Sequence, residues 1–180
     1  MNIIPIEGTL ESVIQTIPER LKDVFPNVID EVEYRPEIEM PSKAYNPSRD
    51  QYRAQIILHH IAKKFGSKEG KILVITSEDL YSQRLNFIFG QAQKPGKIAI
   101  ISLHRLKPEF WGKKKDRDLF LARAVKECVH ELGHTFGLDH CEDQKCVMSF
   151  SNRIEHTDRK KARFCEKCEE NMKSFLRVRE

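Results

Sequence analysis

No stretch of this chain approaches the roughly 20 consecutive apolar residues needed to cross a bilayer. Its apolar runs, such as residues 98–101 with Leu103 just after, are the size of strands. A membrane-spanning protein is therefore excluded, and a soluble one is expected. The opening residues, Met1-Asn2-Ile3-Ile4-Pro5-Ile6-Glu7, lack the basic and apolar regions of an export signal. With no export signal a cytoplasmic location is expected, where thiols stay reduced, and no pro-segment is recognisable either. Repeats and low-complexity tracts are absent, and so is a strong charge of either sign. Lys and Arg total 31 against 27 Asp and Glu, a net charge of +4. Two basic runs exist, Lys113-Lys114-Lys115 and Arg159-Lys160-Lys161 with Arg163, but neither has an aromatic platform beside it. Nucleic acid is accordingly not an expected partner.

Against these absences stands one dense segment. His130-Glu131-Leu132-Gly133-His134 continues through Gly137 to His140 and reads H-E-x-x-H-x-x-G-x-x-H. At 3.6 residues per turn, His130 and His134 project from one helical face and can reach one ion. Glu131 is rotated about 100° from His130, placed to bond a water on the metal rather than to ligate it, which suits a general base. Gly137 can take the positive φ that ends a helix and turns the chain back, delivering His140 as third ligand. Three neutral histidines leave a tetrahedral zinc one open position, the mark of a catalytic site. The pattern predicts a zinc metallopeptidase acting on peptide or protein substrates. A non-catalytic zinc-stabilised module that binds protein or nucleic acid is the alternative, and Glu131→Gln separates the two.

Cysteine is scarce, at five residues, but four of them are paired in spacing. Cys141 and Cys146 enclose four residues, and Cys165 and Cys168 form C-x-x-C. In a reducing compartment this spacing predicts a closed tetrathiolate zinc site rather than two disulfides. Two Zn2+ are thus expected, one catalytic and one structural. Cys128 recurs with Leu121, Val125 and Leu132 along one helical face and reads as core. His59, His60 and His104 read as structural, and His156 as a solvated loop residue.

Ten positions together resemble the archaemetzincins, a metzincin branch of metallopeptidases: His130, Glu131, His134, Gly137, His140, Cys141, Cys146, Met148, Cys165 and Cys168. They span 39 of the 180 residues. The resemblance implies that Met148 is the Met-turn residue, packed beneath the histidines without touching zinc. Phe150 stands where other metzincins carry a tyrosine, and no tyrosine follows Tyr81. Oxyanion stabilisation is then expected mainly from the metal.

Periodicity predicts strands at 2–7, 28–34, 71–76, 85–89 and 97–103. Helices are predicted at 10–25, capped by Thr9 and bent or interrupted at Pro18, from 48 or 49 to 65 with Gly66 as stop, and at 116–136. Residues 35–48, with three prolines, read as a long loop bordering the cleft. The fold class is α/β (α+β), a metzincin-like mixed twisted sheet with packed helices, a zinc helix and a small zinc-stabilised C-terminal subdomain. Residues 1–180 are expected to form a single, monomeric catalytic domain, divided into subdomains 1–137 and 138–180. By the resemblance, one strand antiparallel to the rest borders the cleft. Residues 85–91 are the candidate, and Gly133, inside the zinc helix, implies a close neighbour.

Overall fold

The structure is a computed structural model and describes residues 1–26, 28–67 and 69–178. In chain order the strands are β1 (Asn2–Pro5), β2 (Glu33–Tyr34), β3 (Tyr45–Asn46), β4 (Gln51–Arg53), β5 (Ile72–Thr76), β6 (Leu80–Tyr81), β7 (Gly90–Ala92) and β8 (Ile98–Ser102). The α-helices are α1 (Glu11–Val24), α2 (Ala54–Phe65), α3 (Arg117–Thr135), α4 (Ile154–Arg159) and α5 (Glu166–Arg177).

The main sheet has the order β2-β1-β5-β8-β7. Four strands are parallel, and β7, at one edge, runs antiparallel to β8. Every residue of β5 and β8 is buried, as expected where helices cover both faces of a parallel sheet. Their side chains divide by alternation. Leu73, Ile75, Ala99 and Ile101 join the core with α1 and α3, whereas Ile72, Val74, Ile98 and Ile100 join the one with α2. Each such buried branched side chain stabilises the fold by about 1.5–3 kcal/mol. A second small sheet, β3-β4-β6, lies with α2.

α3 begins at Asp116, whose carboxylate accepts the Leu119 N–H at 2.9 Å, a standard cap. It ends where Gly137 takes φ 83°. The Leu138 N–H then reaches Gly133 O and the Gly137 N–H reaches His134 O, the paired bonds of a left-handed glycine stop. Lys71 Nζ adds a bond to Thr135 O at 2.8 Å. The predicted 116–136 helix therefore stands almost unchanged.

Elsewhere tertiary contacts moved the boundaries. The helix expected from 48 or 49 starts at Ala54, because Gln51–Arg53 pair with β3 and β6 and the Gln51 amide donates to Asp79 Oδ2 at 2.8 Å. The strand expected at 28–34 shrinks to β2, since Val28 and Ile29 N–H turn back to Phe25 O. Thr9 is not the cap of α1: its hydroxyl donates to Ile6 O and Ile75 O, stitching two strand ends instead. Pro18 does not interrupt α1. Burial of Val13, Ile17 and Leu21 on its core face offsets the roughly 3 kcal/mol of an internal proline. The segment expected as a cleft-bordering loop forms a 3-10 turn at Ser42–Ala44 and then β3, packs Ile38 and Ala44 into the α2 core, and contributes no residue to the cleft lining. Residues 85–89 form no regular strand. Ile88 makes one bridge to Leu80, and the antiparallel edge strand begins only at Gly90.

Candidate metal centre and cleft

α3 carries His130 and His134 on the face turned toward β7, and the turn at Gly137 brings His140 back to them. One ligand atom from each of the three lies within 4.8 Å of the others. Two details determine what this cluster accepts. His130 Nδ1 sits 2.8 Å from Val147 O, and His134 Nδ1 sits 2.7 Å from Leu138 O. A carbonyl only accepts, so both Nδ1 atoms carry the proton and both Nε2 atoms expose lone pairs. Those Nε2 atoms are 3.2 Å apart. Two lone pairs that close repel unless a cation lies between them. Bonds of about 2.05 Å in a tetrahedral zinc site put nitrogens about 3.3 Å apart, so the geometry fits such an ion.

The electrostatics of the cluster also favour a metal. Burial, above all, holds His130 well below the ordinary imidazole pKa, helped by the Lys160 ammonium. His134 is lowered to about 4, again mainly by burial. Burial followed by Lys160 lowers His140. Neutral rings at pH 7 are the form that binds metal.

Glu131 is buried beside them in the wall of a cleft of about 340 Å³. Burial raises its carboxyl well above the ordinary range, the neighbouring Glu127 carboxylate adds to this, and Lys160 opposes it. Directly against Glu131 lies Gly90, at the start of β7, which also lines the cleft. Lys94, further along the same edge, pairs with Asp139 next to His140. At the other end Phe87 lies under the Arg105 guanidinium, whose ring distance is 4.3 Å. The cleft thus has an apolar arm at Leu85 and Phe87 and a basic arm at Lys94.

Met148 is fully buried below the histidines. A Cβ at Gly133 would lie 2.5 Å from Met148 Sδ, so the glycine that weakens α3 by about 1 kcal/mol makes room for this sulfur. The Met148 carbonyl accepts the Cys141 N–H at 2.9 Å.

The second cluster joins the first through the backbone, since Cys141 follows His140. Cys141, Cys146, Cys165 and Cys168 have their sulfurs within 4.8 Å of one another and form no disulfide. Cys141 and Cys165 Sγ are 3.7 Å apart, close to the roughly 3.75 Å between sulfurs that each lie about 2.3 Å from a tetrahedral zinc. The Cys165 N–H points at Cys146 Sγ at 3.3 Å. Cys128 lies apart, fully buried in the core, and burial raises its thiol well above the ordinary range.

Sequence reasoning missed a buried charge cluster behind Glu131. Glu127, one turn earlier on α3 and also lining the cleft, accepts the Thr157 hydroxyl at 2.9 Å and pairs with Lys160 Nζ at 3.3 Å. Lys160 also donates to Ser149 O at 3.2 Å. Arg123, fully buried, holds Asp158 through Nε and Nη2 at 2.6 and 2.7 Å. The i, i+4 spacing of Glu127 and Glu131 was a legible signal. Lys160 gave none, because it sits within a basic run that looks solvated. That run is not a continuous basic surface: its central lysine is buried, while Arg159, Lys161 and Arg163 are exposed. His59 and His60 are exposed on α2, and His104 packs edge-on against Phe110. His156 lies on α4, half-buried, rather than in a loop, and lines a separate small hollow with Phe150 and Arg159.

The profile of peptidase family M54 matches residues 3–174. The archaemetzincin of Methanocaldococcus jannaschii is 46% identical over 148 residues, covering 82% of this chain and 80% of its own. That of Methanopyrus kandleri is 40% identical over 165 residues, covering 91% and 90%. The crystal structure of the M. kandleri archaemetzincin superposes with a TM-score of 0.81 at 37% identity, over 98% of this chain and 94% of that one. A zinc-dependent peptidase from Methanocorpusculum labreanum superposes at 0.83 with 30% identity, over 95% and 98%.

Proposed function

This chain belongs to peptidase family M54 and is a zinc metallopeptidase, and from that premise we propose that His130, His134 and His140 hold the catalytic zinc, with Glu131 as general base and Met148 as the floor of the site. Cys141, Cys146, Cys165 and Cys168 hold a second, structural zinc. The observation that carries this reading is the pair of lone pairs 3.2 Å apart at His130 and His134, with a buried carboxylate beside them in the cleft wall.

Held by those three imidazoles, a zinc ion would polarise the scissile carbonyl and lower the pKa of the attacking water toward about 7. Glu131 takes a proton from that water as its oxygen bonds to the carbonyl carbon, and returns it to the amine as the C–N bond breaks. A dication next to Glu131 would counter the upward push of burial and keep the carboxylate able to accept. The substrate lies extended along β7. The ladder bonds to β8 run from Ser102 N to Phe89 O and from Gln93 N to Ile98 O. By alternation, Gly90 and Ala92 turn their backbone N–H and C=O away from β8, free to pair with a peptide strand. Residues 1–137 and 138–180 act as two subdomains of one catalytic domain. One chain contributes every group this mechanism uses, so the enzyme works as a monomer on peptide or protein substrates.

Glu131→Gln tests the reading. Hydrolysis should fall by about 10²–10⁴-fold with zinc content unchanged, and elemental analysis of the wild-type chain should give two zinc ions. A Glu131→Gln enzyme that cleaves at the wild-type rate refutes the general base, and a single zinc refutes the second site.

A further inference from the structure

Gly90 and Glu131, both lining the cleft, lie directly against each other. A Cβ on Gly90 would lie 2.5 Å from Glu131 Cγ and 2.8 Å from both Cδ and Oε1. All three nearest atoms belong to that one side chain, and real Cβ atoms essentially never approach closer than 3.0 Å. Backbone geometry does not explain the glycine, because Gly90 is not among the positive-φ residues. Strand propensity does not call for it either, since glycine is depleted in strands and packs nothing. What remains is space. The buried Glu131 carboxylate occupies the volume that a side chain at position 90 would fill.

The same residue contributes the outward-facing backbone of the edge strand. Gly90 therefore brings two things together: the groups that would hold the substrate and the carboxylate that would move its proton. We propose that Gly90 is a positioning residue for Glu131, its missing side chain allowing the carboxylate to lie against β7 beside the scissile bond. The three atoms nearest to a methyl group there, Cγ, Cδ and Oε1, all belong to the Glu131 side chain. The fold and the histidines are spared, and Glu131 is pushed aside. A displacement of about 1 Å in a reacting group is enough to lower a rate by about 10²-fold.

This inference rests on Glu131 being the general base, and the experiment separates the two. Gly90→Ala, Glu131→Ala and the double variant are compared with wild type for kcat, KM, zinc content and thermal midpoint. Gly90→Ala should keep both zinc ions, lower kcat by about 10²-fold and change KM far less. Its lowering of the thermal midpoint should disappear in the Glu131→Ala background, where the methyl enters vacated space. If Gly90→Ala alone fails to fold while the double variant folds, the collision with Glu131 is likewise established. Wild-type kcat in Gly90→Ala, loss of zinc with activity, or an equal thermal effect in both backgrounds overturns the proposal. Full activity in Glu131→Ala would instead overturn the general-base reading, while the thermal coupling still reports the contact.

Discussion

Taken residue by residue, the histidine site is built by withdrawing imidazoles from water. His134 keeps its lone pair down to about pH 4, whereas an unfolded imidazole takes up a proton near 6.5. The sign follows from linkage. Between those values the unfolded chain binds more protons, so the stability contributed by this ring is complete above about pH 6.5 and is lost as pH falls toward 4. Protons also compete with metal only where the ring accepts them. Zinc content and thermal midpoint, followed together from pH 7.5 to 4.5, should both hold near neutrality and fall on the acid side. Catalytic zinc released near pH 7 would contradict the depressed value. Glycine also acts here, by subtraction: Gly133 admits Met148 Sδ, and Gly90 admits Glu131. A weak helix former in the middle of α3 hinted at the first. Nothing in the sequence hinted at the second, because the partner lies on another element.

Among the elements, α3 does more than present ligands. Arg123, and one turn later Lys126 and Glu127, hold α4 and its C-terminal end through Asp158, Thr157 and Lys160. The Lys160 and Glu127 side chains are 0% and 2% exposed, so removing one leaves the other charged and unpaired in low dielectric. Lys160→Met should destabilise by about 3–5 kcal/mol, lowering the melting temperature by roughly 10 °C. Adding Glu127→Gln should restore part of that loss. A Lys160→Met chain that melts like wild type would show that the pair contributes nothing. Periodicity located α3 to within a residue at each end because capping and the left-handed stop are local signals. It misplaced the start of α2 and most of the 85–89 strand because strand pairing there is decided by contact with β6 and β8 and not by the local pattern.

Across the molecule as a whole, the histidine and cysteine clusters share one short connection. The loop from Cys141 to Ser149 is closed at the sulfur cluster, and it also supplies the Val147 carbonyl to His130 and places Met148 under the helix. The tail adds contacts of its own, with Phe164 against Phe25 at 5.4 Å and Phe175 against Gly137. Cys168→Ser should therefore reduce zinc by one ion per chain and raise hydrogen exchange across residues 141–178. It should also lower kcat, although no thiol touches the cleft. Unchanged kcat with the structural zinc gone would show that the clusters are independent.

The convergence of the three histidines, the helix that carries two of them and the grouping of the four sulfurs were all legible in the chain of residues, since spacing on a helix or in a C-x-x-C turn is a local geometric property. Packing settled the rest: which carbonyls orient the imidazoles, that Lys160 is buried against Glu127, and that Gly90 leaves room for Glu131. Those arrangements depend on distances between elements remote in the chain, and such distances follow from how β7, α3 and α4 come together.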